Sequence, residues 1–281
     1  MIDHDDIAAV NERHWEWAVK KRAGCTVPWL DLDPTLLRQH ASGELETAPE
    51  PLDEIYPADV FANAEGKDVL CLATGGGQQS AVFGLLGARV TVFDLTQGQL
   101  EGDRRAAAHY GYELTTVQGD MRNLSLLADD SFDLVYQGNS MAWVPDVRQV
   151  YLGVVRVLRA GGTYRVDFTN PATEFVDWNG WDGESYRVTV PYAETERVEQ
   201  SGGDGPDSIQ FRHHMSDIFN GLLELGLSIQ QVQDSPHYFR RSRAVRPGSW
   251  DHSLKYLGGF AIVARKADQS STHLPESAPG R

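Results

Sequence analysis

Residues 68–77 of this chain read Asp-Val-Leu-Cys-Leu-Ala-Thr-Gly-Gly-Gly, and an aspartate follows at position 94. An apolar run that stops at a glycine cluster is typical of a buried parallel strand that turns sharply into a helix. Because Gly75, Gly76 and Gly77 lack side chains, backbone N–H groups and the helix N-terminus can approach a ligand closely. Asp94 ends a second apolar run, 94 − 75 = 19 residues after Gly75, and its carboxylate can accept two hydroxyl hydrogen bonds from a ribose. The pattern predicts a cofactor that contains a nucleoside, held at the first βαβ crossover.

The overall composition restricts the class of protein. A chain of 281 residues with 41% hydrophobic residues can bury a substantial core. Its 25 Lys and Arg against 40 Asp and Glu give a formal net charge of −15, which would repel a nucleic-acid backbone. Two cysteines exclude a disulfide framework, and neither a secretion signal nor an apolar run of ~20 residues is evident. We therefore expect a cytoplasmic protein that binds neither nucleic acid nor a membrane.

Hydrophobic periodicity predicts a succession of strands and helices. An amphipathic helix is expected over 7–22 and a polar, proline-punctuated connection over 41–57. Strands are expected at 68–73, 89–94, 114–118, 132–136 and 163–169, with helices between them. After an aromatic, polar insertion at 172–207, we expect strands at 208–214, 228–233 and 257–265 and a helix from Ser216 to Gly226. This alternation predicts an α/β fold with a mostly parallel sheet covered by helices on both faces.

Capping signals define the ends of two of these helices. Thr96-Gln-Gly-Gln99 matches a capping box at the start of the helix that ends at Gly111. Asp146 is the expected N-cap of the helix that precedes the strand at 163–169, and Gly161-Gly162 is expected to end that helix.

Two kinds of nucleoside cofactor compete for the glycine loop. The dinucleotide fingerprint Gly-x-Gly-x-x-Gly/Ala needs a glycine or alanine at position 80, where this chain has Ser80. The alternative needs a second acidic residue after the third strand, which accepts a hydrogen bond from the adenine amino group. Gly119-Asp120-Met121 follows the strand at 114–118, so that Asp120 supplies this acceptor and Met121 a polarisable surface for the ring.

With these segments in place, the chain resembles the class I S-adenosylmethionine-dependent methyltransferases, in order, over about residues 65–170. The matching segments are Val69–Gly77 as the first motif, Asp94, Gly119-Asp120-Met121, Phe132–Gln137 as the fourth strand, and Val157–Thr163 as the turn before strand five. The resemblance implies S-adenosylmethionine as cofactor and a Rossmann-like, seven-stranded, mostly parallel sheet with helices on both faces, an N-terminal helical cap and an insertion after strand five.

The resemblance also implies which residues bind the cofactor. The implied set is Ala73, Thr74, Gly75, Gly77, Gln78, Asp94, Leu95, Gln99, Asp120, Met121 and Gln137. The family often has an acidic residue where Cys71 stands, and its first glycine aligns with Ala73. The methionine ammonium would then be held by backbone carbonyls near Ala73 and Gln137, or by the side chain of Gln78 or Gln79.

Five segments are expected along the chain. They are a helical cap segment at 1–57, a cofactor-binding core at 58–170, an insertion that covers the substrate at 171–215, the C-terminal part of the core sheet at 216–267, and a polar tail at 268–281 that we expect to be disordered. The cap helix or the insertion could form a homodimer contact.

The methyl acceptor is less well defined by the sequence. A sulfonium is already a strong electrophile, so the protein must position a nucleophile and exclude water, and no catalytic motif is obligatory. We expect a small-molecule acceptor, no metal, and substrate contacts from Trp15, Asn139, Trp143, Trp178 and Tyr192. If a base is used, the candidate is His214, on the polar side of the strand at 208–214.

Two other functions stay open from the sequence. One is a catalytically silent module that binds S-adenosylmethionine for regulation or scaffolding, which no residue pattern excludes. The other is an NAD-dependent dehydrogenase, which Ser80 and Gly119-Asp120-Met121 disfavour. The atom that receives the methyl group, whether oxygen, nitrogen or carbon, is not defined.

Overall fold

The computed structural model describes residues 4–177, 179–194, 197–200, 205–236 and 245–268. The strands in this part of the chain are β1 (Asp68–Leu72), β2 (Arg89–Asp94), β3 (Leu114–Gln118), β4 (Phe132–Gln137), β5 (Leu158–Thr169), β6 (Arg197–Gln200), β7 (Ser208–Phe211), β8 (Leu227–Asp234) and β9 (Gly259–Lys266). The α-helices described are α1 (His4–Lys20), α2 (Pro34–Ala41), α3 (Gln79–Leu85), α4 (Gln97–Tyr110), α5 (Val147–Val157), α6 (Met215–Glu224) and α7 (Trp250–Leu257). Short 3₁₀ turns include Met141–Trp143 and Pro171–Phe175.

Seven strands form one sheet in the order β3-β2-β1-β4-β5-β9-β8, and β6 pairs with β7 antiparallel in a separate two-stranded sheet. The pairs β1–β2, β1–β4, β2–β3 and β4–β5 are parallel, whereas β9 runs antiparallel to both β5 and β8. The predicted seven-stranded, mostly parallel sheet is therefore confirmed.

Alternate side chains of β1 enter two separate cores, one on each face of the sheet. Leu70 and Leu72 pack in a cluster with residues of α5 and α6, and Val69 and Cys71 pack in a second cluster with residues of α2, α3 and α4. Because successive side chains of a strand point to opposite faces, a strand covered on both faces must be apolar throughout. This is why the sequence of β1 is a continuous apolar run.

Several element boundaries differ from those predicted. α5 ends at Val157 rather than at Gly161-Gly162, because the backbone of Leu158 is extended and pairs with Phe132 as the start of β5. α6 begins after His214, so Ser216 is not its N-cap. The helix α7 was not predicted, and Gly258 (φ 70°) ends it, so the last strand begins at Gly259 rather than at residue 257.

α1 contacts β7 and α4, and hydrogen bonds join it to the insertion. Asn11 Nδ2 donates to the Ile209 carbonyl at 3.0 Å, and the Ile209 N–H donates to Asn11 Oδ1 at 2.8 Å. At the other side of the helix, the Gly98 N–H donates to Glu16 Oε1 at 2.9 Å. α1 therefore links β7 to the start of α4 through hydrogen bonds.

The boundaries of the five predicted segments remain predictions, and the tail beyond residue 268 lies outside the described residues.

None of the described helices is long and apolar enough to cross a membrane.

Candidate active site

A cavity of about 800 Å³ opens at the carboxyl ends of β1, β2, β4 and β5. Ligands of open parallel sheets bind at this edge, where each strand gives way to a loop. We call the part lined by residues of 73–79, 94–99 and 119–122 the glycine end. We call the part lined by Trp15, Tyr56, Gln210, Ser235 and residues of 138–144, 167–174 and 250–254 the tryptophan end.

The backbone N–H groups of the three glycines are all bonded within the protein. The Gly75 N–H donates to the Asp94 carboxylate, the Gly76 N–H to Gln99 Oε1 at 2.9 Å, and the Gly77 N–H to Asp103 Oδ1 at 2.8 Å. The expectation that these groups face a ligand is therefore wrong for this loop. A dinucleotide needs such N–H groups for its pyrophosphate, so the loop is better suited to a cofactor without phosphate.

The glycines are required for close packing instead. A Cβ on Gly75 would lie 2.7 Å from the Cys25 carbonyl oxygen, and one on Gly77 would lie 2.6 Å from the Gly102 carbonyl oxygen. Gln78 Nε2 donates to the carbonyls of Gly24 and Val27, both at 3.0 Å. The loop is thus clamped between α4 and the segment that follows α1.

Asp94 lies at the end of β2 and lines the cavity while only 7% of its surface is exposed. Its Oδ1 accepts from the Thr96 N–H at 3.0 Å and from the Thr96 hydroxyl at 2.8 Å. Because Thr96 bonds Asp94 and Gln99 bonds Gly76, the predicted capping box between Thr96 and Gln99 is wrong. Burial raises the pKa of Asp94, and the N–H and O–H donors from Thr96, Gly75 and Leu95 lower it. A rigidly held carboxylate at this position suits the two hydroxyl groups of a ribose.

A second carboxylate, Asp103 on α4, supports the loop from behind without lining the cavity. Its Oδ1 accepts from the Gly77 N–H and from the Ser80 hydroxyl at 2.5 Å, and its Oδ2 has no partner among the described residues. Burial, followed by the nearby charge of Asp94, raises the pKa of Asp103 to about 8. Ser80, the residue that departs from the dinucleotide fingerprint, is therefore part of the loop's support.

Replacing Asp103 by asparagine should make the protein more stable at alkaline pH. The folded protein retains a proton on Asp103 up to about pH 8, whereas the unfolded chain releases it near pH 4, so wild-type stability falls as the pH rises through this range. Asparagine mimics the protonated acid and removes this loss. We expect the melting temperature of Asp103→Asn to exceed that of the wild type by at least about 3 °C at pH 9, with little difference at pH 4. Asp59→Asn, at an exposed aspartate, is the control. A pH-independent difference would contradict the assignment.

Residues after β3 form the other side of the glycine end. Both Asp120 and Met121 line the cavity. Arg122 holds the Asp120 carboxylate with two groups. Its side-chain Nε donates to Oδ2 at 2.7 Å, and its backbone N–H donates to Oδ1 at 2.9 Å. A side chain at position 119 would clash with the ring of Phe93, so glycine is required there. The arrangement places a fixed carboxylate beside an apolar slot, as a purine amino group and ring would need.

Gln137, which was predicted to hold the cofactor through its backbone carbonyl, does not line the cavity. It is fully buried, donates from Nε2 to the Ser140 hydroxyl at 2.8 Å, and accepts at Oε1 from the Tyr164 hydroxyl at 2.6 Å. Its backbone carbonyl accepts from Arg165 Nη1 at 3.2 Å. The carbonyl of Gln137 is thus occupied by a buried arginine, which the sequence reading did not identify. Gly77 likewise does not line the cavity.

Arg165 is completely buried in β5 beside the tryptophan end. Its guanidinium pairs with Asp167, donates from Nε to the Tyr56 carbonyl at 2.8 Å, and lies over the rings of Tyr56 and Tyr136. Asp167, Tyr56 and Tyr136 all line the cavity. The sequence did not predict this cluster, because a single arginine within a strand does not indicate which distant residues it will contact.

The structure brings three of the predicted substrate residues together. Trp15, Asn139 and Trp143 line the cavity, and the Trp15 and Trp143 rings meet edge to face with centroids 5.1 Å apart. Trp178 lies outside the described residues. Tyr192 does not line the cavity and is 51% exposed.

His214 does not reach the cavity either. It is the N-cap residue of α6, and its Nε2 bonds the Tyr192 carbonyl at 2.6 Å on the outside of the insertion. The structure therefore does not bring the predicted base to the site, because the strand expected at 208–214 stops at Phe211. Residues that the sequence reading missed line the cavity instead, among them Tyr56, Asp167, Glu174, Trp250 and Leu254.

Comparison with known proteins identifies the family. A model of the methyltransferase domain family matches residues 70–166. The chain is similar to an uncharacterized methyltransferase of Bacillus subtilis, YbaJ, with 29% identity over 255 residues, 89% of this chain and 98% of that one. It is 35% identical over 224 residues to a protein of Mycobacterium bovis, 74% of each chain. Its fold is similar to that of the 1,6-didemethyltoxoflavin-N1-methyltransferase of Burkholderia thailandensis, solved with bound 1,6-didemethyltoxoflavin and S-adenosylhomocysteine, with a TM-score of 0.57, 16% identity and coverage of 95% and 92%.

The mostly parallel sheet, covered by helices, and the match to the methyltransferase domain define an α/β enzyme of the methyltransferase class. The chain belongs to the class I S-adenosylmethionine-dependent methyltransferases, and its cofactor is S-adenosylmethionine. It catalyses methyl transfer, and neither the silent-module nor the dehydrogenase hypothesis gains support.

Side chains at the glycine end fit this cofactor. Thr74 Oγ1 and Gln79 Oε1 are buried and have no hydrogen-bond partner among the described residues, although both residues line the cavity. Because buried polar atoms in a folded protein usually have a hydrogen-bond partner, these two oxygens are suited to bond a polar group of the cofactor. An ammonium group and a carboxylate, which the methionine part of the cofactor carries, could bond a side-chain oxygen and a hydroxyl respectively.

Proposed function

We propose that this enzyme transfers the methyl group of S-adenosylmethionine to a small molecule that binds at the tryptophan end of the cavity. The observation that carries the proposal is the size and continuity of the cavity, whose about 800 Å³ is near the upper limit for a site that holds one small ligand. The space therefore suits a cofactor and a small acceptor side by side. Residues of α1, among them Asn11 and Trp15, line this space, and Asn11 is hydrogen-bonded to β7; this placement of α1 along the cavity disfavours a large macromolecular substrate.

In this proposal the cofactor is held by the residues that line the glycine end. Asp94 binds the ribose hydroxyls, Asp120 accepts from the adenine amino group, and Met121 packs on the ring. Thr74 and Gln79 bind the methionine end through their unpartnered oxygens. The other predicted cofactor-binding residues that line this end are Ala73, Gly75, Gln78, Leu95 and Gln99. The cofactor supplies an activated methyl group, so the protein's own task is to align the acceptor and exclude water.

The tryptophan end is built for that task. Trp15 on α1 and Trp143 after β4 pack against each other, and Asn139 Oδ1 accepts from the Thr169 N–H at 3.2 Å. This contact ties the loop after β4 to the end of β5, which keeps the two sides of the acceptor space at a fixed distance. Apolar walls also remove water from the path between the two ligands.

The sequence predictions of a cytoplasmic location and of no nucleic-acid partner belong to the same proposal. Both cysteines, Cys25 and Cys71, are unpaired, which suits a reducing compartment. The formal charge of −15 opposes binding to a phosphate backbone. A homodimer remains a prediction.

The proposal is tested by following a tritium-labelled methyl group. The enzyme is incubated with labelled S-adenosylmethionine and a whole-cell extract, and the products are separated by size. We expect the label in the low-molecular-weight fraction, as a compound distinct from the cofactor. Labelling of protein or nucleic acid alone would replace the small-molecule proposal with a macromolecular one.

A further inference from the structure

The charge of the cavity is strongly one-sided. Among the described residues that line it, seven are acidic and one is basic: Glu50, Glu54, Asp94, Asp120, Asp167, Glu174 and Asp251 against Arg122. Arg122 forms an ion pair with Asp120, and Asp167 forms one with Arg165, which does not itself line the cavity. Asp94 is assigned to the ribose. The one basic side chain among the described lining residues is thus paired with an acidic one, so the described lining offers no uncommitted cationic partner to an anionic acceptor.

Glu174 is the acidic residue whose position is most informative. It lies on the 3₁₀ turn Pro171–Phe175, directly after β5, and is half-buried at the tryptophan end. Its carboxylate accepts no hydrogen bond from the described residues. Arg212 donates from Nε to the backbone carbonyl of Glu174 at 3.0 Å, so its guanidinium lies near the carboxylate without bonding it. Burial raises the pKa of Glu174, and the charge of Arg212 lowers it.

Aromatic rings surround the same space. Trp15, Tyr56, Trp143 and Trp250 line the tryptophan end. The faces of indole and phenol rings attract cations, by about 0.5–2 kcal/mol for each contact depending on how far water is excluded. A partly buried carboxylate that accepts no hydrogen bond from the described residues, lining the same cavity as such rings, suits a positively charged amine better than a neutral alcohol or a carboxylic acid.

We propose that the methyl acceptor is a small amine with an apolar or aromatic frame, and that Glu174 binds its ammonium group and receives its proton. This inference rests on the proposed function, because it names the substrate class of the same site. In the transfer, the proton leaves nitrogen for the Glu174 carboxylate and the nitrogen lone pair forms the new N–C bond. The S–C bond breaks with its electron pair remaining on sulfur, so that S-adenosylhomocysteine and the N-methylated amine are formed.

The test uses three probes of one shape that differ in a single group: 2-phenylethylamine, 2-phenylethanol and 3-phenylpropionate. Their binding to the full-length protein saturated with S-adenosylhomocysteine is measured by calorimetry. We expect the amine to bind at least about 10-fold more tightly than either analogue. In Glu174→Gln this preference should fall to near unity, whereas Glu101→Gln, at an exposed glutamate on α4, should retain it. Glu174→Gln should bind S-adenosylhomocysteine as the wild type does, which shows that it folds.

Each outcome decides the matter. An amine preference that depends on Glu174 supports the proposal. Equal binding of the three probes, a preference for the alcohol or the carboxylate, no binding of any probe, or an amine preference unchanged in Glu174→Gln overturns it. A failure of the proposed function is distinguishable, because the methyl label would then appear in macromolecules whatever the probes do.

Discussion

Replacing Asp94 by asparagine is expected to weaken the binding of S-adenosylhomocysteine by about 100-fold. A hydrogen bond to an ionised carboxylate contributes about 1.5–3 kcal/mol, and a factor of ten in affinity corresponds to about 1.4 kcal/mol. Asparagine retains the size of the side chain and an oxygen that can accept from Thr96. Its amide NH₂ group, however, replaces one of the two acceptors that a ribose diol requires. The change is measured by isothermal calorimetry, together with the loss of the thermal shift that the ligand produces.

The matched control for Asp94→Asn is Asp103→Asn. Asp103 also bonds the glycine loop, through Gly77, but it does not line the cavity. Its replacement should leave the affinity for S-adenosylhomocysteine within about threefold of the wild type, a difference of less than 1 kcal/mol. If both variants lose affinity equally, the effect comes from a disturbed loop and not from a lost ribose contact. If Asp94→Asn binds normally, the ribose assignment is wrong.

The second large effect is expected for Gly77→Ala, which should destabilise the folded protein by about 2–5 kcal/mol. The residue has φ 90°, a conformation that costs a residue with a side chain about 1–2 kcal/mol. The new Cβ would also lie 2.6 Å from the Gly102 carbonyl oxygen and 2.7 Å from Pro28 Cβ, and overpacking of this kind costs about 1–3 kcal/mol. The free energy of unfolding is measured with urea.

Two further glycine variants separate these causes. Gly111→Ala has a comparable φ of 78° but no atom within 4 Å of the added Cβ, so it should show the backbone cost alone. Gly102→Ala lies within α4, where alanine normally stabilises an exposed helix by about 1 kcal/mol relative to glycine. Here its Cβ would lie 2.7 Å from the Gly76 carbonyl oxygen, and we expect destabilisation instead. A stabilised Gly102→Ala would show that the loop and α4 are not in close contact.

The sheet could be predicted from the sequence because its signals are local. The apolar runs of β1, β2 and β4 reflect strands buried on both faces, and each helix between them has its own periodicity. The missed helix α7 is short, and its apolar residues continue directly into β9, so its boundary has no polar break. The end of α5 was misplaced because pairing with β4, a contact between distant segments, sets the start of β5.

The cofactor-binding segments could also be predicted from local signals, because the strand, the glycine loop and the aspartate at the end of the next strand are close in the chain. What bonds to what within them was not predictable. Gln99 accepts a hydrogen bond from Gly76, 23 residues earlier in the chain, and Asp103 accepts one from Gly77, 26 residues earlier. Gln137 was expected at the cavity but bonds Tyr164, 27 residues further on. Each of these contacts depends on how α4 and β5 pack against β1 and β4.

The sequence by itself determined the α/β class, the succession of motifs at the ends of the parallel strands, and the class of cofactor. It could do so because hydrophobic periodicity and the spacing from glycine to aspartate are properties of nearby residues in the chain. Only the tertiary structure decided that the glycine N–H groups face inward, that His214 lies outside the cavity, and that Glu174 lies within it. The physical reason is that the acceptor space is lined by residues from seven parts of the described chain, and the direction of a side chain there depends on long-range packing rather than on its neighbours in sequence.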